Sequence, residues 1–178
     1  VHSIIPVEAI VLQVLERDDS SAALVVFSRE LGKLYVHAQG IRKLAAKHST
    51  NMQVGSKVLI DIVRGKHEWR LVGSHLLAQS NLAGQAECVR FGKLGRVVLD
   101  LTAVEDPNED VFSVLIHGAR STEPVGSGVM REARELALIV EALGWWVDDI
   151  EIADYLSGAK TLRDFVTAVN KGLTEAYS

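Results

Sequence analysis

The chain has 178 residues, 48% hydrophobic and 24% charged, a globular balance that excludes wholesale disorder. No apolar run reaches the ~18–20 residues of a membrane-spanning helix, and one cysteine, Cys88, excludes an internal disulfide framework and a multi-cysteine zinc site. The net charge of −4 hides an asymmetry: residues 1–80 hold ten Lys/Arg against seven Asp/Glu, net +3, and residues 81–178 hold nine against sixteen, net −7. A basic half joined to an acidic half points to different partners for the two ends. Val1 to Pro6 shows no basic segment running into a long apolar stretch, so the expectation is a soluble, reduced, cytoplasmic protein.

In chain order, the first eighty residues read as strands. Val7 to Leu15 is almost continuously apolar and breaks at the polar cluster Glu16 to Ser21. Ala22 to Ser28 is a second strand, followed by the turn Glu30-Leu31-Gly32-Lys33. Leu34 to Gln39 alternates, with Leu34, Val36 and Ala38 on one face and Tyr35, His37 and Gln39 on the other. After Gly40 a polar, basic stretch runs from Arg42 to Gln53, too long for a tight hairpin. Lys57 to Arg64 places Val58, Ile60 and Ile62 on one face, and Gly65-Lys66-His67 turns the chain into a last strand, Glu68 to Val72. Five strands with one long basic connection after the third match a small closed barrel of the oligonucleotide-binding kind.

Beyond residue 80 the period becomes helical. Helices are predicted over Leu82–Val104, Val111–Ala119, Val129–Trp146, Ile150–Leu156 and from Thr161 towards Ala176. Pro107 is expected within a first helical turn, where its missing N–H is tolerated. In the third helix Val129, Met130, Ala133, Leu136, Ala137, Val140 and Leu143 make the apolar stripe, with Arg131, Glu132, Arg134, Glu135 and Glu141 largely off it. The predicted fold class is α+β: an N-terminal five-stranded OB-fold barrel over residues 1–80, then an all-helical domain over 81–178.

No catalytic constellation assembles from these residues. The six histidines are scattered, with none at the i, i+4 spacing of a helical metal site. Cys88 reads as an inert, partly buried thiol, and the pairs Asp18-Asp19, Glu105-Asp106 and Asp148-Asp149 as solvated turns and caps. Gly126-Ser127-Gly128 precedes a helix but lacks the strand and the Lys-Ser/Thr of a phosphate loop. No catalytic residue, metal site or cofactor is expected.

The cations are more informative. Arg42, Lys43 and Lys47 follow the strand that shows Tyr35, and Arg64, Lys66 and Arg70 gather at the next hairpin. On a barrel of this type, cations follow phosphates and aromatic faces stack on bases; the same cation run also fits a solvated connection. Parity groups Trp69 with Leu71 on the interior side, which leaves Tyr35 as the better stacking surface.

Four segments in order then resemble one family, the bacterial recombination mediators called RecO. Val7-Glu8-Ala9-Ile10-Val11-Leu12 is similar to its opening strand and Phe27-Ser28-Arg29-Glu30-Leu31-Gly32-Lys33-Leu34 to its F-S/T-R-E-x-G-K turn. Ala38-Gln39-Gly40-Ile41-Arg42-Lys43 is similar to its A-x-G-x-R-K/R segment, and Arg64 through Gly73 to its hairpin. The resemblance implies a short, cysteine-poor member that binds single- and double-stranded DNA and anneals strands. It also implies work with RecR and single-stranded-DNA-binding protein to load the RecA recombinase. By motif, the family's DNA contacts fall on Lys33, Arg42, Lys43, Arg64, Lys66 and Arg70. One cysteine cannot supply the four-cysteine zinc site that some members carry. A rival from another class is a protein-interaction adaptor, with the barrel as scaffold and the acidic half docking a partner.

Overall fold

A computed structural model describes residues 3–16, 21–39, 52–66, 68–121 and 128–144, together with 167, 170, 171 and 174. Five strands come first: β1 (Ile4–Glu16), β2 (Ser21–Ser28), β3 (Gly32–Gln39), β4 (Lys57–Arg64) and β5 (Trp69–Ala78). They pair in the ring β1-β2-β3-β5-β4, a closed barrel. Closure depends on the length of β1. Its first half pairs with β4 from Ile4 to Ile10 and its second half with β2 from Ala9 to Glu16, so one strand serves two neighbours. A register shift between Val11 and Gln13 bends β1 at this handover, and the Val11 N–H and carbonyl are taken up by Ser56 and Gly55 at 3.1 and 2.8 Å. The ring's last seam is the short parallel pairing of β3 with β5, Val36 with Trp69 and His37 with Arg70.

Alternation fills the barrel. Val7, Ala9 and Val11 point inward, as do Leu24 and Val26, Leu34, Val36 and Ala38, and Val58, Ile60 and Ile62, with Trp69 at one end. The inward faces predicted for β3 and β4 are those observed. Both faces of β2 are buried, which is why it reads as an unbroken apolar run. Its outer face belongs to a second core: Ile10, Leu12 and Phe27 of the barrel wall pack with Phe91, Leu94 and Val98, Phe112 and Leu115, and Ile139. Those residues come from three helices, α1 (Gly84–Leu101), α2 (Glu109–Arg120) and α3 (Gly128–Ala142). Strands therefore give way to helices near residue 80, but the two parts share a core.

Several boundaries differ from expectation. Strand β5 runs on to Ala78 because its pairing with β4 continues through two register shifts to Lys57. Gly73 lies within that stretch opposite Asp61, whose carboxylate would stand 2.7 Å from a Cβ there. Pro107 lies outside α2, since Asn108 is the N-cap and its Oδ1 accepts from Val111 N at 3.0 Å. Helix α3 ends at Ala142, where Gly144 takes a left-handed conformation (φ 72°) and its N–H donates to the Glu141 carbonyl at 2.8 Å. Cys88 is exposed rather than partly buried. Trp145 and Trp146, the predicted 150–156 helix, most of the last helix and residues 126–127 lie outside the described residues. Among the described residues no helix is long and apolar enough to cross a membrane.

Candidate nucleic-acid interface

The turn between β2 and β3 shows how motif residues are used. Ser28 Oγ accepts from Leu31 N at 2.9 Å, and Glu30 Oε2 accepts from Glu8 N at 3.0 Å. Arg29 pairs with Glu8 and Glu109 at 3.2 and 3.3 Å and lies 4.9 Å over the Phe112 ring. Gly32 has φ +69°, and a Cβ there would overlap the Asp106 carbonyl, so only glycine lets the α1–α2 linker cross at this point. Lys33 follows, and its placement corrects the expectation from the resemblance. It is 6% exposed, and its ammonium donates to the carbonyls of Leu99 (2.7 Å) and Thr102 at the end of α1. Helix α1 has no basic residue of its own in its last turn, so Lys33 supplies the cation its C-terminus favours. Burial lowers its pKa against the pull of Asp100. Lys33 is a helix cap and is withdrawn from any DNA-facing surface.

The exposed cations lie elsewhere. Tyr35, on the outward parity of β3, is 46% exposed. Two residues on, His37 stands beside Arg70 across the parallel seam, its Nδ1 buried without a hydrogen-bond partner among the described residues. Arg70 and Lys66 are exposed, and the Gly65 N–H donates to the Glu68 carbonyl at 2.8 Å to hold the β4–β5 turn that carries them. Tyr35, Lys66 and Arg70 thus share one stretch of barrel wall and rim. Arg42, Lys43 and Lys47, in the β3–β4 connection, lie outside the described residues.

Arg64 stands at the same hairpin but already has a partner. Its Nη1 lies 2.7 Å from both carboxylate oxygens of Glu105, and its guanidinium stacks 4.7 Å over the Trp69 ring. Trp69 keeps its ring in the barrel core, as parity requires, and donates Nε1–H to Glu105 Oε1 at 2.9 Å. Glu105 is the one non-glycine residue with positive φ among those described (59°), a conformation that costs about 1–3 kcal/mol. The hydrogen bonds from Arg64 and Trp69 hold its carboxyl below the usual range. Glu105 is solvent-exposed, as its place in a turn leads one to expect, and its carboxylate in addition bridges the α1–α2 linker to the barrel rim. Forty-one residues separate it from Arg64, and no local spacing signals such a pair.

A second charge cluster corrects the reading of α3. Arg131 and Glu135 are buried, not off the packed face, because they form one i, i+4 ridge with buried Ile139. Arg90 of α1 bonds the Glu135 carboxylate and Glu87 (2.9 Å), while Arg131 reaches Glu135 at 3.1 Å and Glu87 at 3.2 Å. Both guanidiniums also donate to the Gly118 carbonyl, at 2.7 and 3.1 Å. Two arginines and two glutamates cancel in charge and join α1, α2 and α3. Arg131 and Glu135 line a concavity of about 270 Å³ with His117 and Leu138, and a separate one of about 570 Å³ is lined by Arg29, Phe112, His117 and Arg120 among others. Among the described residues no group of three or more His, Cys, Asp or Glu could hold a metal ion.

Neither a protein-family model nor a curated protein matches this chain.

Proposed function

We propose that this protein binds DNA and acts in recombinational repair, its barrel being an OB fold of the kind the RecO mediators carry. The observation that carries the reading is the exposed set on one side of the barrel: the Tyr35 ring on β3, Arg70 facing His37 across the seam, and Lys66 at the adjoining turn. An aromatic face accepts an unpaired base of any identity, and cations beside it follow the backbone. The long connection from β3 to β4, with Arg42, Lys43 and Lys47, extends the same cationic stretch in sequence.

On this reading the protein performs no chemical transformation. It captures single- and double-stranded DNA electrostatically, lowers the repulsion between two backbones as they pair, and assists RecA loading with RecR and single-stranded-DNA-binding protein. Its compartment is the cytoplasm. Binding shows little sequence preference, because no helix among the described residues presents base-reading side chains at groove spacing. Titrating the protein against single- and double-stranded oligonucleotides over a salt series tests this. The expected result is binding to both that weakens steeply with salt.

One observation favours the adaptor reading. Arg29, Gly32 and Lys33, which carry much of the resemblance, serve the barrel and its helices rather than a free surface. An adaptor would leave the oligonucleotides unbound and dock a protein through the helical half.

A further inference from the structure

The Arg64–Trp69–Glu105 cluster deepens the DNA-binding reading and rests on it. Two hydrogen-bond donors, Arg64 Nη1 and Trp69 Nε1, converge on one carboxylate at 2.7–2.9 Å. Such an arrangement recognises an anion that presents two oxygens, and a phosphodiester has that shape as well as a carboxylate. The cluster lies at the hairpin that also carries Lys66 and Arg70, where a nucleic-acid backbone is expected to pass. We propose that Arg64 and Trp69 form a seat for a backbone phosphate, and that Glu105 occupies it in the free protein as an internal competitor which DNA must displace.

Three features suit Glu105 to that role. The pair is open to water, with 61% of the Arg64 side chain and 35% of the Glu105 side chain exposed, and exposed pairs hold weakly. The Glu105 backbone is anchored independently, its N–H donating to the Lys33 carbonyl at 3.0 Å beside the Lys33–Val104 bridge. The carboxylate can therefore swing away while the linker stays docked. Its left-handed backbone is an unfavourable conformation for a long side chain, retained where it aims the carboxylate at the two donors. Arg64, stacked on a ring fixed in the barrel core, remains in place to receive the phosphate.

The test measures binding of fluorescent single-stranded oligothymidine by the full chain across a salt series. The proteins compared are the wild type, Glu105→Gln, Glu105→Asp, Arg64→Ala and the Glu105→Gln/Arg64→Ala pair. Glu105→Gln should bind roughly threefold to tenfold tighter, with a salt slope steeper by about 0.7, the increment for one more neutralised phosphate on a single strand. Glu105→Asp keeps the net charge but withdraws the carboxylate from the seat, and should show a smaller gain. It carries the test if Glu105→Gln fails to fold. The double variant should show no gain over Arg64→Ala. A gain that survives in the double variant, or unchanged binding by both Glu105 variants while the wild type still binds, overturns the seat and leaves the DNA-binding reading standing. Absence of binding by every protein overturns that reading itself. The Trp69 indole N–H resonance should move on adding the oligonucleotide but not with inorganic phosphate at matched ionic strength. An equal shift with phosphate alone would assign the seat to a free anion and contradict the proposal.

Discussion

Between the helices, buried Arg90 and Arg131 face buried Glu135 and the partly exposed Glu87, whereas at the barrel rim Arg64 faces Glu105 in water. The functional groups are the same and the consequences opposite. In the interior Arg90, Arg131 and Glu135 have lost most of their hydration, so they need their partners: two carboxylates for two guanidiniums, with the Gly118 carbonyl accepting a further bond from each arginine. At the rim water already solvates both ions, and the pair can exchange partners. Burial, more than charge, decides whether a cation holds the fold or is available to a ligand. Lys33 and Arg70 repeat the contrast within the barrel, one spent on a helix end and the other exposed.

The sharpest way to break this comparison is to remove one carboxylate from each place. Glu135→Ala leaves two buried guanidiniums with one glutamate and should cost about 3–5 kcal/mol in urea unfolding. Glu105→Ala should cost about 1 kcal/mol or less, as exposed pairs do. Equal costs would contradict the contrast.

Acid should act on the buried cluster through two carboxyls that move in opposite directions. The hydrogen bonds from Arg90, with Arg131 beside it, hold Glu87 below its ordinary value of 4.5. Its stabilising contribution is therefore complete above that value and lost as pH falls through the lower folded-state value. Burial pushes Glu135 up, against the pull of both arginines, so its protonation favours the folded state as pH approaches 4.5 from above. Stability measured by urea unfolding should hold or rise slightly down to about that pH and fall below it, and Glu87→Gln should flatten the fall.

Within the barrel, Lys33→Met should cost about 1–3 kcal/mol, because the carbonyls of Leu99 and Thr102 lose their donor. Oligonucleotide affinity should not change, and a loss of affinity in the folded variant would return Lys33 to the interface. Tyr35→Ala should do the reverse. It should leave the melting temperature nearly unchanged and weaken single-stranded binding by about 1–3 kcal/mol, the worth of one stacked base.

Much of the barrel was legible because alternation survives in β3 and β4, where each inward residue is apolar and buried and the outward positions between them are more exposed. The exposure of Tyr35 and the burial of Trp69 follow from the same parity. The tail of β5 was hidden because Gly73, Ser74 and His75 interrupt the pattern, with Gly73 paired opposite Asp61 on the neighbouring strand. Lys33 looks like a surface cation because its two acceptors come from a helix end 66 and 69 residues further along. Arg131 and Glu135 share an i, i+4 ridge with Ile139, but the partners that make their burial tolerable stand on α1. Long-range ion pairs leave no local periodicity, so a charge whose partner is distant in sequence looks solvent-facing from the sequence alone.

The most direct test of the central claim is the slope of log affinity against log salt for single-stranded oligonucleotide, compared between the wild type and Lys66→Ala/Arg70→Ala. If the exposed rim cations follow the phosphates, the double variant should bind more weakly, with folding intact. Its slope should flatten by about 0.7 for each phosphate that is no longer neutralised. A wild type that binds with no salt dependence, or a folded double variant with unchanged affinity and slope, would contradict it.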